Sequence, residues 1–442
     1  MDKKKLIILI WIPIILLGIL NLLTIFTPEI GFDALWYHLT LPKLWLLKQK
    51  WFFDGGLLYY SVMPRLTETI FIPLVKYTGY VGPKLVQYLS GVGVGFLIWK
   101  ITSKLKLSTI FKSVAVSLFY CTWLVSWQSG SAYIDLFRTL LETTALYFLI
   151  SGSWKKGGIF LGLAVGTKWL ALGSVGIYAL VFGLPLLLPT LLLSLPWFIT
   201  AYKFTGNPIY PIFSPLLPQS IIPIGGILKS LLLLPFVVTL PFDDFLSPLM
   251  GMLVILSAIA LFSRQKVIQK ISLVAILGAI YSVVLDPPSS RFLIPYLPAL
   301  VISSVYVVSL FKPAISHIFI SLAIISSIFI LGLRFFAINK YLPFLYGKET
   351  QNQFLTKLSG RLPDTFIDSD NFVHDNIPSS SKIVIDKLHN LYYFPYGFDH
   401  TSWINTQAGY DYLITINTRP AEIKGELLHT NDVGIQIYKL TK

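Results

Sequence analysis

Long apolar runs separated by short polar connectors dominate residues 6–335. A helix that crosses a bilayer needs roughly 20 apolar residues at ~1.5 Å rise each. Runs of this kind fall near 6–26, 82–102, 109–127, 133–151, 246–262, 270–285, 290–311 and 314–335. The stretch 157–203 is too long for one crossing and divides into short helices over 157–170 and 172–184 and a longer one over 186–203. A polar, Pro-rich stretch then runs to about 245. The pattern predicts an all-α polytopic membrane protein with about eleven transmembrane helices.

Two segments break the pattern. Residues 27–65 form a polar loop after the first helix. Within it, 34–51 (ALWYHLTLPKLWLLKQKW) mixes aromatic and aliphatic positions, is interrupted at Pro42, and ends in Lys48 and Lys50. This predicts two short interfacial helices, with rings at headgroup depth and lysines reaching toward phosphates. From 336 the chain turns polar, with strand-like runs at 382–386 (KIVID), 412–416 (YLITI) and 434–438 (GIQIY). The expected organisation is a transmembrane domain over 1–335 and a small C-terminal α/β domain over 336–442.

The chain of 442 residues is 55% hydrophobic and 13% charged, against about 25% charged in soluble domains. Its net charge of +14 does not point to nucleic acid, because the excess is local. Residues 336–442 hold 10 basic and 11 acidic side chains, leaving 25 and 10 for the membrane part. With the N-terminus inside, the inner connectors carry Lys3, Lys4, Lys5, Lys100, Lys104, Lys106, Lys112, Lys155, Lys156, Arg264, Lys266, Lys270 and Lys312, with Asp2 their one acid. The outer segments carry Glu29, Asp33, Asp54, Glu68, Asp135, Asp243, Asp244 and Asp286. This positive-inside pattern places the tail on the extracytoplasmic side of a multi-pass plasma-membrane protein. The first apolar run exceeds a signal-peptide core and no small-residue cleavage site follows, so it reads as a retained helix. Cys121 is the one cysteine, which excludes an intrachain disulfide.

Several polar side chains stand where chemistry at the outer rim would need them. Asp33, in GFDALWYH, lies just beyond the first helix; it suits either a helix cap or an acid–base role. Asp135, in SAYIDLFR, has Arg138 and Glu142 on the same helical face, which fits an ion-pair ladder or a positioned substrate contact. Lys168 interrupts an apolar stretch, as a snorkelling lysine or a phosphate ligand. Arg291, in SRFLIP, fits a lipid headgroup or a phosphate fork. Arg65, in YYSVMPR, is a third outer cation, close after Tyr60. His38 has no further metal ligand near it in sequence, and no H-E-x-x-H, phosphate-loop, G-x-S-x-G or cysteine-pair motif occurs. The adjacent Asp243 and Asp244 read first as a solvated loop and second as a metal site.

Taken in order, GFDALWYHLTLP, YYSVMPRLTE, SAYIDL, GLAVGTKWLAL, PWFITAYKFTGNPIYP, RFLIPYLPAL and the tail segment YLPFLYGKE resemble integral-membrane glycosyltransferases of the GT-C superfamily. That group includes protein O-mannosyltransferases and the lipid A aminoarabinose transferase. The resemblance implies inverting hexosyl-type transfer from a polyprenyl-phosphate-sugar to a lipid, glycan or protein acceptor on the outer side. It implies Asp33 as the base and Asp135 as a supporting carboxylate. Arg65, Lys168, Arg291, His38, Tyr60 and Arg138 are the candidates for holding substrate and phosphate. The chain departs from the group in two ways: its membrane part, 1–335, lacks an Asp-x-Asp motif, so neither a metal nor another cofactor is indicated, and Met63 stands before Pro64 where some relatives place a lysine. A transporter or lipid flippase is the competing reading. It predicts repeated halves with matched broken helices, which the sequence does not show.

Overall fold

The computed structural model describes residues 2–215 except 52 and 54, then 228, 232, 234–239, 246–285, 289–404, 409–417 and 425–441. The chain packs as two compact units. One comprises 1–25, 84–130 and 134–339; the other comprises 26–83, 131–133 and 340–442.

The first unit is a helical bundle. Its helices are α1 (Lys3–Ile25), α4 (Val81–Lys104), α5 (Thr109–Tyr120), α6 (Trp123–Gln128), α7 (Asp135–Leu149), α8 (Trp154–Thr167), α9 (Ala171–Phe182), α10 (Leu187–Thr205), α11 (Met250–Ala260), α12 (Lys266–Val284), α13 (Leu297–Ser309) and α14 (Pro313–Ile338). Among the described residues, six helical segments are long and apolar enough to cross a bilayer: Lys3–Ile25, Val81–Lys104, Leu184–Thr205, Lys266–Val284, Ser290–Ser309 and Pro313–Leu345. α5, α9 and α11 are apolar but shorter. The chain is a multi-pass membrane protein.

The apolar run 109–127 is not one helix. Cys121 leaves helical geometry and Thr122 is extended, so α5 ends and α6 begins. The freed amide of Trp123 donates to the Leu246 carbonyl at 2.9 Å, which satisfies a group that would otherwise be costly away from water. α8 carries Gly158, Gly162 and Gly166 at one face, and β-carbons there would run into the Leu186 carbonyl, the Thr190 carbonyl and the Trp197 ring. Small residues thus let the backbones of α8 and α10 approach closely.

The second unit holds α2 (Thr40–Lys48), α3 (Leu66–Thr78), α15 (Gln351–Lys357), α16 (Phe372–Asn376) and a five-stranded sheet. Thr350 and Gln353 form a capping box at the start of α15. The strands β1 (Ile383–Ile385), β2 (Asp399–His400), β3 (Tyr412–Ile416), β4 (Gly425–Thr430) and β5 (Ile435–Leu440) lie in the order β2-β1-β3-β5-β4. β1 is parallel to β2 and β3, whereas β5 is antiparallel to β3 and β4. The sequence pattern finds β1, β3 and β5, whose central residues are mostly buried. It misses β2, which is two residues long, and β4, an edge strand with no alternation.

The first loop does form short helical pieces, a π-type turn at Ala34–His38 followed by α2. Their apolar side is covered by protein. Tyr37, Leu41, Leu44 and Trp45 share one core with Phe366, Ile385, Leu391, Phe394 and Ile437. Lys43 donates to the Tyr392 and Phe394 carbonyls, both at 2.7 Å, and burial brings its pKa down to about 8. Lys48 pairs with Asp399 at 3.1 Å.

His400 on β2 gives this unit a pH dependence. Its Nδ1 accepts from the Ser402 amide at 3.0 Å, and burial lowers the ring pKa from 6.5 to about 4 against the pull of Asp386. On acidification the unfolded chain takes up this proton first. Stability contributed by neutral His400 is therefore complete above about pH 6.5 and is lost as pH falls toward 4, by up to about 3 kcal/mol. Thermal unfolding followed between pH 7 and pH 4 should show this slope, and His400→Gln should flatten it.

Candidate functional site

Within the bundle, three distant segments meet at Asp135. It is the first residue of α7 and is buried. Lys168 comes from the break between α8 and α9, where its backbone is extended. Arg291 comes from the 3-10 turn Ser290–Tyr296 that leads into α13. Lys168 Nζ lies 2.7 Å from Asp135 Oδ1, and Arg291 Nε lies 3.4 Å from Oδ2. Gln128 donates to the same Oδ2 at 3.1 Å. One carboxylate therefore fixes two cations, and both cationic side chains keep partial access to solvent, 15% and 16%.

Arg138 takes a different part. Its Nε pairs with Glu142 at 2.6 Å, and Nη2 donates to Ser174 at 3.1 Å and to the Leu170 carbonyl at 3.3 Å. Ser174 in turn bonds the Tyr296 hydroxyl at 2.7 Å. Arg138 and Glu142 are both buried. This network ties α7 to α9 and to the turn that carries Arg291, so it sets where that arginine stands.

The second unit holds Asp33, partly exposed at the start of the π-type turn. It occupies the cap position, but its side chain makes no cap hydrogen bond. Its backbone amide meets the Tyr133 hydroxyl at 3.4 Å. The loop around it is set by Glu29, a buried carboxylate that gathers backbone amides. Glu29 Oε1 accepts from the Ile30 and Gly31 amides at 2.9 and 2.7 Å, and Oε2 from the Ala132 amide at 2.7 Å. The Tyr393 hydroxyl donates to the Glu29 carbonyl at 2.8 Å. Gly31 has a tyrosine ring where a side chain would go: a β-carbon there would lie 2.5 Å from Tyr133.

Aromatic rings flank Asp33. Trp36 meets Phe32, Tyr37, Tyr59 and Tyr60 edge-on at centroid distances of 5.7, 5.5, 6.2 and 5.1 Å. Tyr60 stacks on Tyr37 and Tyr59, each at 4.2 Å. Burial, and to a smaller degree the Asp33 carboxylate, raises the Tyr59 phenol. Nearby, His38 Nδ1 donates to Glu68 Oε1 at 2.6 Å with both groups buried. Arg65 is also buried, and burial pulls it down to about 10 against the attraction of Glu68. Among the described residues, His38 Nε2, Arg65 Nε and Glu68 Oε2 are buried without a hydrogen-bond partner. Buried polar atoms of this kind are costly unless something satisfies them.

The structure thus places Asp135, Lys168 and Arg291 together, Arg138 in an adjoining network, and His38, Arg65 and Tyr60 in the same unit as Asp33. Sequence reasoning did not single out Glu29, Tyr133, Gln128 or Glu68 for roles. Glu29 and Glu68 were visible as outer acids, but their partners are remote in sequence. Asp243 and Asp244 lie outside the described residues. No group of three or more His, Cys, Asp or Glu side chains that could hold a metal ion occurs among the described residues.

No family model matches the chain, and no curated protein sequence matches it. Solved structures do. ArnT from Cupriavidus metallidurans bound to undecaprenyl phosphate superposes with a TM-score of 0.61 at 12% identity, over 99% of this chain and 98% of that one. The same protein in the apo state gives 0.61 at 10% identity over 95% of both chains. The chain therefore shares the fold of ArnT over nearly its whole length.

Proposed function

We propose that this chain is an integral-membrane glycosyltransferase that moves a sugar from a polyprenyl-phosphate carrier to an acceptor hydroxyl on the extracytoplasmic side, with inversion. The observation that carries the reading is the convergence of Lys168 and Arg291 on Asp135, in a fold shared with a protein solved with undecaprenyl phosphate.

The acceptor oxygen attacks the anomeric carbon, the bond from that carbon to the phosphate oxygen breaks, and the phosphate departs on its lipid. Asp33 takes the proton released by the attacking hydroxyl, a role that a partly exposed carboxylate can fill. Lys168 and Arg291 bind the donor phosphate and stabilise the negative charge that grows on it as it departs, and Asp135 holds them in position. Arg65 is a further phosphate ligand, since its buried Nε has no hydrogen-bond partner among the described residues. His38 and Glu68 fix the loop between them, and Tyr60 and Trp36 shape the wall beside Asp33.

Incubating the purified chain with a panel of lipid-phosphate sugars tests the reading: one donor should be consumed with release of the lipid phosphate, and consumption of none would refute it. Arg291→Gln and Lys168→Gln should each raise the donor KM by about tenfold or more, as loss of a hydrogen bond to a charged group predicts. Arg291→Lys should recover only part of this, because an ammonium lacks the planar fork.

A further inference from the structure

α1, α4 and α5 leave a groove of about 670 Å³ between them, walled almost wholly by apolar atoms. It runs from Trp11 to Leu22 on α1, which at ~1.5 Å per residue is a trough about 16 Å long. Gly18 lies at its floor. A β-carbon on Gly18 would sit 3.7 Å from the Tyr88 hydroxyl and 4.0 Å from that of Tyr120. At the other end, Trp11 and Trp99 meet at 6.1 Å, and Trp11 Nε1 donates to Ser113 at 3.0 Å.

That tryptophan end is also cationic. Lys100 Nζ lies 5.2 Å from the Phe96 ring centroid, and Lys112 Nζ lies 5.3 Å from that of Trp99. Phe96 and Trp99 both line the groove. The outer wall residues Ile15, Ile19, Val92 and Phe96 are exposed, so the trough opens sideways. The ring-and-lysine end is the arrangement that meets an anionic headgroup at the edge of a bilayer.

We infer that this groove binds one anionic glycerophospholipid, an acyl chain lying along α1 and α4 and the phosphate held at Lys100 and Lys112. It is distinct from any site for the carrier phosphate. Lys104, one turn beyond Lys100, bonds Ser151 just past the C-terminal end of α7. Asp135, with Lys168 and Arg291, starts that same 15-residue helix, roughly 22 Å of helix away. The two cationic clusters therefore mark opposite ends of the bundle. The inference stands on the groove alone and does not depend on the catalytic reading.

Native mass spectrometry of the full-length protein, supplied with equimolar phosphatidylglycerol and phosphatidylcholine, tests it. The wild type should retain one phosphatidylglycerol in preference to phosphatidylcholine. Lys100→Gln with Lys112→Gln should cut that retention on the order of tenfold, through loss of headgroup attraction. Gly18→Leu, whose side chain would enter the trough, should abolish retention of either lipid, while circular dichroism reports its fold. Equal retention of the two lipids by the wild type would overturn the inference. So would undiminished phosphatidylglycerol in the lysine variant, or displacement of the lipid by an equimolar polyprenyl phosphate.

Discussion

Purified Asp33→Asn protein is expected to fold, to bind its lipid-phosphate sugar, and to transfer the sugar about 10²–10⁴-fold more slowly, the range that loss of a general base produces. The fold should survive for local reasons. The Asp33 carboxylate caps no helix amide, and the contact that ties this residue to Tyr133 uses the backbone amide. Asparagine keeps size and shape but removes the negative charge and the capacity to accept a proton. The effect should therefore appear in kcat, with donor KM nearly unchanged. Initial rates at saturating donor, beside a melting curve for the same preparation, measure it. Turnover close to that of the wild type would end the assignment of Asp33 as the base.

Much of the fold is legible in the sequence because a bilayer imposes long apolar helices and the tail imposes alternation. What hides is whatever depends on partners distant along the chain. Asp135, Lys168 and Arg291 each stand out by charge in an apolar setting, but nothing local says that they meet, since 33 residues separate the first two. Arg138 shares a helical face with Asp135, yet it turns toward Glu142 and α9. Glu29 looks like one more rim acid until its second oxygen is seen on the Ala132 amide, 103 residues away. The amphipathic stretch around α2 shows the same limit. Periodicity reveals that one side is apolar and is silent on what covers it, and here Phe366, Leu391 and Phe394 share its core. The break at Cys121 was likewise invisible, because an apolar run reads the same whether the helix continues or stops.

Asp135 should prove the most consequential residue for the bundle's stability. Removing one member of a buried ion cluster leaves its partners without compensation, which costs about 3–5 kcal/mol. Asp135→Ala strips the carboxylate from Lys168 and Arg291 together and also leaves the Gln128 amide without its acceptor. A large drop in melting temperature of the detergent-purified protein is therefore expected. Lys168→Met alone should cost less, since Arg291 and Gln128 still serve the carboxylate. If the three charges act as one unit, the double variant Asp135→Ala, Lys168→Met should be more stable than Asp135→Ala alone, because one of the stranded cations is gone. Its donor KM, in contrast, should be no better than that of either single variant, since the proposed phosphate ligand is lost. Strict additivity in the melting data would mean that Asp135 and Lys168 do not interact, and would remove the basis for assigning Asp135 as the residue that positions the cations.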